Sequence, residues 1–527
     1  MPKPMINSRR SKDDPPPRPA PSLSGPGATG VAVIDPVTRL EGHLKIEVDV
    51  EDGYVIDAKA SGTLFRGFES ILLNRHPSDA QHITQRICGV CPVSHGMAAV
   101  ITLDKACSVV APSNARIMRN LVMAANMIDS HILHFYHLAL PDFIQGPDMP
   151  PWTPTWVPAD NPLSESTETL INNYVTALDM RRKAHEAGAI FGGRLPHPPA
   201  FIPGGFTTRP SSTSIAAFRK YMSAIIPFIR NVYIRDAEKV ANAYADYFDI
   251  GHGYGNLLAF GAFDLYARGK EKLFKSGLVL NGRKVDLDVQ KITEQVTYSW
   301  YDNSTGDLNP GVGVTAPQHP KNDAYSWLKA PRYDGAPCEA GPLARMTING
   351  DYPTRRVSVM DRHLARAYET LKVAEACLSW LERLNPSGPV TVQTAVPEKA
   401  SSFGLTEAPR GALGHWLEIA GGKISRYQII TPTCWNASPR DADGQRGPIE
   451  EALIGTPVAN IEQPIEVVRV IHSFDPCLSC AVHVMRPKAG KKVFTLNHYH
   501  GGEGVSTHDH GHEHHNSIHG HDYHHAD

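Results

Sequence analysis

The chain has 527 residues, of which 41% are apolar and 20% are charged, a composition that excludes a wholly disordered protein. At about 150 residues per domain, the length corresponds to about three domains or to one large domain with insertions. The 52 lysines and arginines nearly balance the 54 aspartates and glutamates, and the net charge of −2 argues against nucleic acid as a partner. No apolar run reaches the ~20 residues of a membrane-spanning helix, so any membrane attachment is expected only through partners.

Residues 1–30 contain eight prolines together with serine, glycine and mixed charges, a composition that cannot form a packed core. Arg9 and Arg10 faintly resemble a twin-arginine export signal, but residues 15–17 are all proline where an apolar stretch would be required. We therefore expect residues 1–30 to be disordered, order to begin near Val31, and any export to depend on a partner.

The first ordered element is a predicted β-hairpin. Apolar and polar residues alternate over 43–50, and the alternation resumes over 54–60 after Glu51-Asp52-Gly53. A period of two on both sides of a turn is typical of paired strands. An N-terminal β-hairpin is therefore predicted.

The central part of the chain is predicted to be mainly helical. Apolar residues recur at helical spacing from a capped start at Pro112-Ser113 to Phe135, over 212–248, and from Leu364 until the Asn385-Pro386 stop. These patterns predict a mainly α fold with α+β elements, with a helical-bundle core. Segments 299–345 and 395–460, rich in Pro, Gly, Trp and Asn, are predicted to be long ordered loops over that core.

The candidate chemistry begins with two C-x-x-C pairs, Cys88 with Cys91 and Cys477 with Cys480. Each pair places two thiolates close enough to bind one metal ion, and four sulfur ligands suit zinc, nickel or iron. A structural zinc site is one interpretation, although such sites usually keep their pairs close in sequence. A thioredoxin-type redox pair is another, although neither pair follows a βαβ pattern. Spacing alone leaves the metal open.

The residues around both pairs favour one family. Arg-Ile-Cys-Gly-Val-Cys-Pro-Val-Ser-His at 86–95 and Asp-Pro-Cys-Leu-Ser-Cys-Ala-Val-His at 475–483 strongly resemble the two metal-binding signatures of the nickel–iron hydrogenase large subunit. Five further motifs resemble that family in the matching order: residues 35–43, 65–69, 325–333, 407–411 and 435–440. The resemblance implies a single large catalytic domain over 31–483, followed by a histidine-rich extension over 484–527.

The resemblance implies a nickel ion held by all four cysteines. Cys88 and Cys477 would be terminal ligands, while Cys91 and Cys480 would bridge to an iron that carries cyanide and carbon monoxide. Soft thiolates suit such metals. Arg410 would lie above the open metal position, and Asp475 would pair near that arginine. The other residues matching the immediate surroundings of the metals are Thr433, as a hydroxyl donor to a cyanide, and His95, as a hydrogen-bond partner of a bridging sulfur.

The resemblance also assigns proton transfer and gas access. Glu41 would take the proton from the Cys477 sulfur, as a general base does. Val90 and Leu138 would line the narrow end of a gas channel. Alone, a carboxylate beside a strand is usually a solvated surface group and two apolar residues are usually core, so these roles depend on the resemblance.

A second, hard metal ion is implied near the chain end. Glu69, a backbone carbonyl near Ile429, and His483 match the protein ligands of a magnesium ion in the family. A carboxylate oxygen suits magnesium, whereas an imidazole is less typical. One position departs from the family: many membrane-bound members have aspartate immediately before the histidine matching His131, and this chain has Ser130.

The function implied is the reversible cleavage of H2 into protons and electrons, in the uptake direction. The four remaining cysteines show no iron–sulfur cluster spacing, so the electrons are expected to leave through an iron–sulfur small subunit. The complex is expected to associate with the membrane through that partner, at the periplasmic face, with a cytoplasmic location as the alternative. Family precursors are cut after the histidine matching His483, which implies a maturation endopeptidase and nickel-insertion proteins. A hydrogen-sensing subunit and a structural zinc protein are the alternatives; the related metal-free quinone-reducing subunit is disfavoured because all four cysteines are present.

Overall fold

Helices make up 41% of the structure and strands 20%, which confirms the prediction of a helical fold with additional β elements. The computed structural model describes residues 27–353 and 357–478, and these belong to one unit. Several predictions concern residues outside this described part: Cys480, His483, the extension over 484–527, and residues 1–26 of the predicted disordered segment. In the part of the chain that is described, no helix is long and apolar enough to cross a membrane.

The helices are concentrated in the middle of the chain. The α-helices of the described residues are Phe68–Ile71 (α1), Asp79–Thr84 (α2), Pro92–Ala106 (α3), Ser113–Leu133 (α4), Thr167–Gly192 (α5), Ser212–Phe228 (α6), Ile234–Ala243 (α7), Pro342–Asn349 (α8), Val359–Glu382 (α9), Pro432–Asn436 (α10), Pro448–Leu453 (α11) and Ile465–Ser473 (α12). Helix α4 packs against α5 and α9, and α6 packs against the same two helices. These four long helices form much of the apolar core.

The strands form several small sheets. They are Gly30–Ile34 (β1), Leu44–Glu51 (β2), Tyr54–Gly62 (β3), Phe201–Ile202 (β4), Gly205–Phe206 (β5), Leu257–Ala259 (β6), Ala262–Asp264 (β7), Lys272–Phe274 (β8), Gly277–Leu280 (β9), Arg283–Val285 (β10), Ile292–Gln295 (β11), Ala330–Tyr333 (β12), Glu339–Ala340 (β13), Lys399–Ala408 (β14), Gly411–Ala420 (β15) and Lys423–Ile430 (β16). The two three-stranded sheets, β1-β2-β3 and β14-β15-β16, are antiparallel throughout.

The predicted N-terminal hairpin is confirmed as β2 and β3. Asp52 and Gly53 both have positive φ, 50° and 80°, as a tight two-residue hairpin turn requires. Alternate residues of β2 are buried, which explains why the period of two was visible in the sequence. Strand β1 adds a third strand on the outer side of β2.

The three predicted helices are also confirmed, with different ends. Helix α4 begins at Ser113, but no side chain caps its first turn, so the predicted side-chain cap is wrong. Helix α9 begins at Val359, five residues before the predicted start, because the Ser358 hydroxyl accepts a hydrogen bond from the Asp361 N–H at 3.1 Å. The predicted 212–248 helix is divided by a π-helical turn over Ile229–Tyr233.

The prediction of loops over 395–460 is wrong for residues 399–430, which form the sheet β14-β15-β16. Most of β15 is buried on both faces, so its sequence shows no alternation, and its glycines resemble those of a loop. Gly404 lets helix α3 approach this sheet, since a Cβ at Gly404 would lie 2.4 Å from the Thr102 hydroxyl oxygen. The sheet therefore supports α3, the helix that follows Cys91.

Candidate metal centre

The first cysteine pair lies in a tight loop before helix α3. Cys88 is extended, and Cys91 is the residue that precedes the helix, with Pro92 as its first helical residue. The backbone N–H groups of Val90 and Cys91 both donate to the Cys88 sulfur at 3.2 Å. Two backbone donors and a helix N-terminus favour the anionic thiolate, which is the form that binds metals.

The third cysteine of the cluster, Cys477, belongs to the C-terminal part of the chain. Cys477 pairs with Glu41 in a parallel β-bridge, and the Leu478 N–H donates to the Glu41 carbonyl at 2.6 Å. The Cys477 N–H donates to the Thr433 hydroxyl oxygen at 3.0 Å. A backbone bridge to the N-terminal region and a bond to α10 therefore hold Cys477 in place.

These contacts bring the sulfur atoms of Cys88, Cys91 and Cys477 within 4.8 Å of one another, and all three residues are buried. The Cys88 and Cys477 sulfurs are 3.3 Å apart, well beyond the ~2.05 Å of a disulfide. Three of the four predicted ligands thus meet in one cluster. The donor set fits a soft metal such as nickel, and the fourth predicted ligand, Cys480, lies outside the described residues.

Arg410 and Asp475 form a buried pair beside this cluster. The guanidinium lies 2.9 Å from the carboxylate, and each side chain is only 2% exposed. Burial lowers the pKa of Arg410, but Asp475 and the three cysteines outweigh burial and hold that pKa well above its ordinary value. Burial likewise raises the pKa of Asp475, against the opposing charge of Arg410. The cysteines that raise this pKa are those of the cluster, so Arg410 lies near them; its role above the open metal position stays a prediction.

Glu41 connects the two cysteine segments. Its backbone pairs with Cys477, while its Oε1 atom lies 3.9 Å from the position that a Cβ on Gly89 would occupy. The half-buried carboxylate is therefore beside the Cys88–Cys91 loop. The role of Glu41 as a proton acceptor for the cluster stays a prediction.

The predicted hard-metal residues Glu69 and Ile429 lie in contact. The Ile429 N–H donates to Oε1 of Glu69 at 2.8 Å. The role of the Ile429 carbonyl as a metal ligand stays a prediction. The Thr315 hydroxyl donates to the other carboxylate oxygen, and the Lys329 ammonium lies 3.7 Å from it. Lys329 also pairs with the buried Glu294 at 3.2 Å. Burial raises the pKa of Glu294 to about 6.

His95 and Thr433 both have partners that sequence reasoning missed. The His95 Nδ1 atom lies 3.2 Å from Nε2 of His415, and Nδ1 of His415 lies 2.8 Å from the Tyr427 hydroxyl. Burial lowers the pKa of His95 to about 4, against a smaller opposing effect of Cys88. Because the Thr433 hydroxyl oxygen accepts from Cys477, its own proton is free to be donated elsewhere.

The two predicted gas-channel residues lie in different described surroundings. Val90 lines a small cavity of about 80 Å³ with Gly89 and Asn126. The Leu138 carbonyl accepts a hydrogen bond from Arg39. A gas channel past Val90 and Leu138 stays a prediction.

Sequence reasoning missed the residue that anchors the loop carrying Arg410. Arg345 binds Glu369 through Nε and Nη2 at 2.6 and 2.7 Å, and Glu407 through Nη1 at 2.7 Å. It also donates to the carbonyls of Ala408 and Pro409 at 3.0 and 2.8 Å. Glu407 belongs to a motif that the sequence did single out, but its partner is visible only in three dimensions.

The chain is similar to known proteins over most of its length. The profile of the family described as nickel-dependent hydrogenase matches residues 66–149 and 156–483, and one described as HoxL-like matches 32–61. The periplasmic NiFeSe hydrogenase large subunit of Desulfomicrobium baculatum is 43% identical over 492 residues, covering 87% of this chain and 96% of that protein. The uptake hydrogenase large subunit of Rhizobium leguminosarum bv. viciae is 31% identical over 575 residues, covering 86% and 95%.

Solved structures give the same result for the fold. The H2-activated NiFeSe hydrogenase of Dm. baculatum superimposes with a TM-score of 0.84 at 43% identity, covering 86% of this chain and 100% of that one. The as-isolated, oxidised NiFeSe hydrogenase of D. vulgaris Hildenborough has the same TM-score, identity and coverage. The similarity includes all described cysteines of the cluster, because the matched family region spans them.

Proposed function

Because the chain belongs to the nickel-dependent hydrogenase family and is a hydrogenase large subunit, we propose that its cysteine cluster holds the nickel–iron centre at which H2 is reversibly cleaved. The observation that carries the proposal is the meeting of Cys88, Cys91 and Cys477 in one buried cluster. When bound, the nickel–iron group supplies a Lewis acid and an electron acceptor for the heterolytic cleavage of H2 into protons and electrons.

The cysteines would divide their roles by position. Cys88 and Cys477 would bind nickel alone, while Cys91 and Cys480 would bind both nickel and an iron that carries cyanide and carbon monoxide. The two N–H donors on the Cys88 sulfur support a thiolate at that position. All four predicted nickel ligands are cysteine, so this chain would bind nickel through sulfur alone even though some relatives are named for selenium.

Arg410 would polarise and orient H2 in the cluster. Asp475 holds its guanidinium, and Arg345 holds the backbone just before Arg410, so its position is fixed before the substrate enters. With a pKa well above its ordinary value, it remains charged and acts as an electrostatic group rather than as an acid. Thr433 would direct its free hydroxyl proton to a cyanide.

Glu41 would receive the proton that leaves the cluster. Its backbone pairs with Cys477 and its carboxylate lies beside Gly89, so one residue contacts the segments of both cysteine pairs. A proton on the Cys477 sulfur would pass to the Glu41 carboxylate, which releases it toward solvent and returns to its anionic form.

A magnesium ion near Glu69 would complete the site. Glu69 and Glu294 are two buried carboxylates that share a single ammonium, that of Lys329. Two negative charges against one positive charge leave a net negative region that a buried cation would neutralise. The backbone carbonyl of Ile429 and the imidazole of His483 would supply its other protein ligands.

The large subunit works with a small-subunit partner, since the family members are paired hydrogenase subunits. We infer that this partner carries the iron–sulfur clusters that accept the electrons, and that uptake of H2 is the working direction, as in the named uptake relatives. The complex would lie at the periplasmic face of a membrane, attached through the partner, as the periplasmic relative supports.

Metal analysis of the purified complex tests the central proposal. Nickel and iron should be present at about 1:1 in the large subunit, with infrared bands from iron-bound cyanide and carbon monoxide. Cys477→Ser should abolish both bands, because one of the metal ligands is lost. Cys377→Ser, a buried cysteine outside the cluster, is the matched control and should keep them. Stoichiometric zinc without infrared bands would refute the proposal.

Maturation would remove the extension over 484–527 once nickel is inserted. An endopeptidase would cut after His483, with nickel-insertion proteins acting before it, so that His483 can reach its metal at the chain end. Intact-mass analysis should find active enzyme ending at His483 and metal-free precursor ending at Asp527. Fully active enzyme that still carries Asp527 would refute this and favour the hydrogen-sensing alternative.

A further inference from the structure

Three buried side chains form a hydrogen-bonded chain that ends near the cysteine cluster. Tyr427 on β16 contacts His415 on the neighbouring β15, and His415 contacts His95 on helix α3. The exposed fractions of Tyr427, His415 and His95 are 1%, 0% and 1%. Water therefore does not compete for these hydrogen bonds.

The direction of the chain follows from the tyrosine. Among the described residues, the one hydrogen-bond partner of the Tyr427 hydroxyl is Nδ1 of His415. Burial raises the pKa of Tyr427 above its ordinary value, so the phenol keeps its proton. A buried O–H without an acceptor costs about 1–3 kcal/mol, so the hydroxyl donates to Nδ1 of His415.

The proton positions on the two imidazoles then follow. Burial keeps both rings neutral, with one N–H each. Because Nδ1 of His415 accepts, the proton of that ring is on Nε2, which donates to Nδ1 of His95 at 3.2 Å. Nδ1 of His95 is thus an acceptor, and the His95 proton is on Nε2.

The Nε2–H of His95 is the free end of the chain. It is fully buried and has no hydrogen-bond partner among residues 27–353 and 357–478. His95 lies four residues after Cys91, on the first turn of α3. The Cys88 sulfur raises the pKa of His95, against the larger lowering by burial. An N–H group at this position is available to the thiolates of the cluster.

We propose that Tyr427 and His415 are positioning residues that set the tautomer of His95, so that His95 presents an N–H donor rather than a lone pair to a cluster sulfur. This rests on the proposed nickel–iron function. A hydrogen bond to a ligand sulfur withdraws electron density from the metals and raises their reduction potential. The sheet β14-β15-β16 would thereby influence the metals without any direct contact with them.

Infrared spectra of the purified complex test the relay, because they report electron density at iron independently of turnover. Tyr427→Phe removes one hydroxyl and leaves His415 free to adopt either tautomer. We expect the carbon monoxide and cyanide bands to move to lower wavenumber in all or part of the population, with a lower reduction potential. Tyr352→Phe, which removes a buried hydroxyl bonded to Asp361, is the matched control and should leave the bands in place.

A double variant separates a relay from a packing effect. If Tyr427 acts through His415, Tyr427→Phe should add no further band shift in a His415→Phe background. Unmoved bands in Tyr427→Phe, or shifts that add in the double variant, would overturn the relay while leaving the nickel–iron function intact. Wild-type protein without these bands would instead overturn the proposed function and the relay with it.

Discussion

Two buried arginines, Arg345 and Arg410, differ in how many of their donors have partners. Arg345 binds the loop that carries Arg410. Arg345 uses all five of its N–H donors, on Glu369, Glu407 and two backbone carbonyls. Arg410 binds Asp475 and makes only a long contact of 3.4 Å to Ser130, and its Nε has no partner among the described residues. The difference indicates that Arg345 holds the loop, while Arg410 has donors that remain available to the cluster.

The charge balance supports the same distinction. Arg345 has two carboxylates as partners, and the pKa of Glu369 is held at about 2 because Arg345 and His131 outweigh the effect of burial. The second carboxylate oxygen of Asp475 has no partner among the described residues. A saturated network resists change, whereas an unsaturated one can form new hydrogen bonds when a ligand enters.

The largest effect is expected on stability, from removing Arg345 and with it the saturated hydrogen-bond network. Arg345→Met leaves two buried carboxylates without their cation, and we expect the free energy of unfolding to fall by ~3–5 kcal/mol. Thermal unfolding of the complex would measure the loss. Arg182→Met, which breaks exposed pairs on α5, is the control and should leave the midpoint near that of the wild type.

A rescue variant identifies the cause of that loss. Adding Glu369→Gln and Glu407→Gln to Arg345→Met removes the uncompensated charges, so part of the stability should return. If the triple variant is no more stable than the single one, charge compensation is not what Arg345 provides.

A change beside the cluster that affects neither arginine should lower activity without loss of stability. Glu41→Gln keeps the side-chain shape but cannot carry the proton, so H2 oxidation and H/D exchange should fall by ~10²–10⁴-fold with the metals retained. Glu51→Gln, an exposed carboxylate on β2, should be neutral. Exchange at the wild-type rate in Glu41→Gln would remove Glu41 from the proton route.

For Arg410, the arrangement of the donors should matter more to turnover than the positive charge alone. Arg410→Lys preserves the positive charge but loses the planar set of donors, and we expect turnover to fall by ~10²–10³-fold with metal content unchanged. Arg332→Lys changes another buried arginine, one that binds Asp441 and Ser438, and is the control. Equal turnover losses in the two variants would contradict a specific role for Arg410.

The smallest effect is expected from pH, through His131 at the edge of the saturated network. Burial lowers the pKa of His131 to about 4, although its bond to Glu369 opposes this. Below about pH 6.5 the unfolded imidazole binds a proton that the folded one does not, so stability should fall as pH decreases from 6.5 to 4. His131→Gln should flatten this loss, measured as unfolding midpoints at pH 7 and pH 5.

His185 offers the opposite case for the same experiment. Its bond to Asp129 raises its pKa, so its contribution to stability is complete below about pH 6.5 and is lost as pH rises through the folded-state value. His185→Gln should therefore not flatten the acid-side loss. An equal effect of both substitutions would mean that the imidazole of His131 does not titrate as its burial implies.

The sequence by itself determined the elements whose information is local. The hairpin β2-β3 was visible because one face is buried and the other is not, and α4 and α9 were visible because their apolar residues recur at helical spacing. The cysteine pairs and the motifs around them identified the family, since such motifs keep their residues adjacent in the chain. The roles assigned to Cys480 and His483 stay predictions, as both lie outside the described residues.

Only the tertiary structure decided which distant groups meet. The bridge between Glu41 and Cys477, the contact of Glu69 with the N–H of Ile429, and the sheet β14-β15-β16 depend on packing between segments far apart in sequence. A strand buried on both faces has no alternation to detect, and a buried arginine looks like any surface arginine until its partners are known. Arg345 and Arg410 are the same residue type in sequence, and their opposite roles arise from the number of acceptors that the fold places around each.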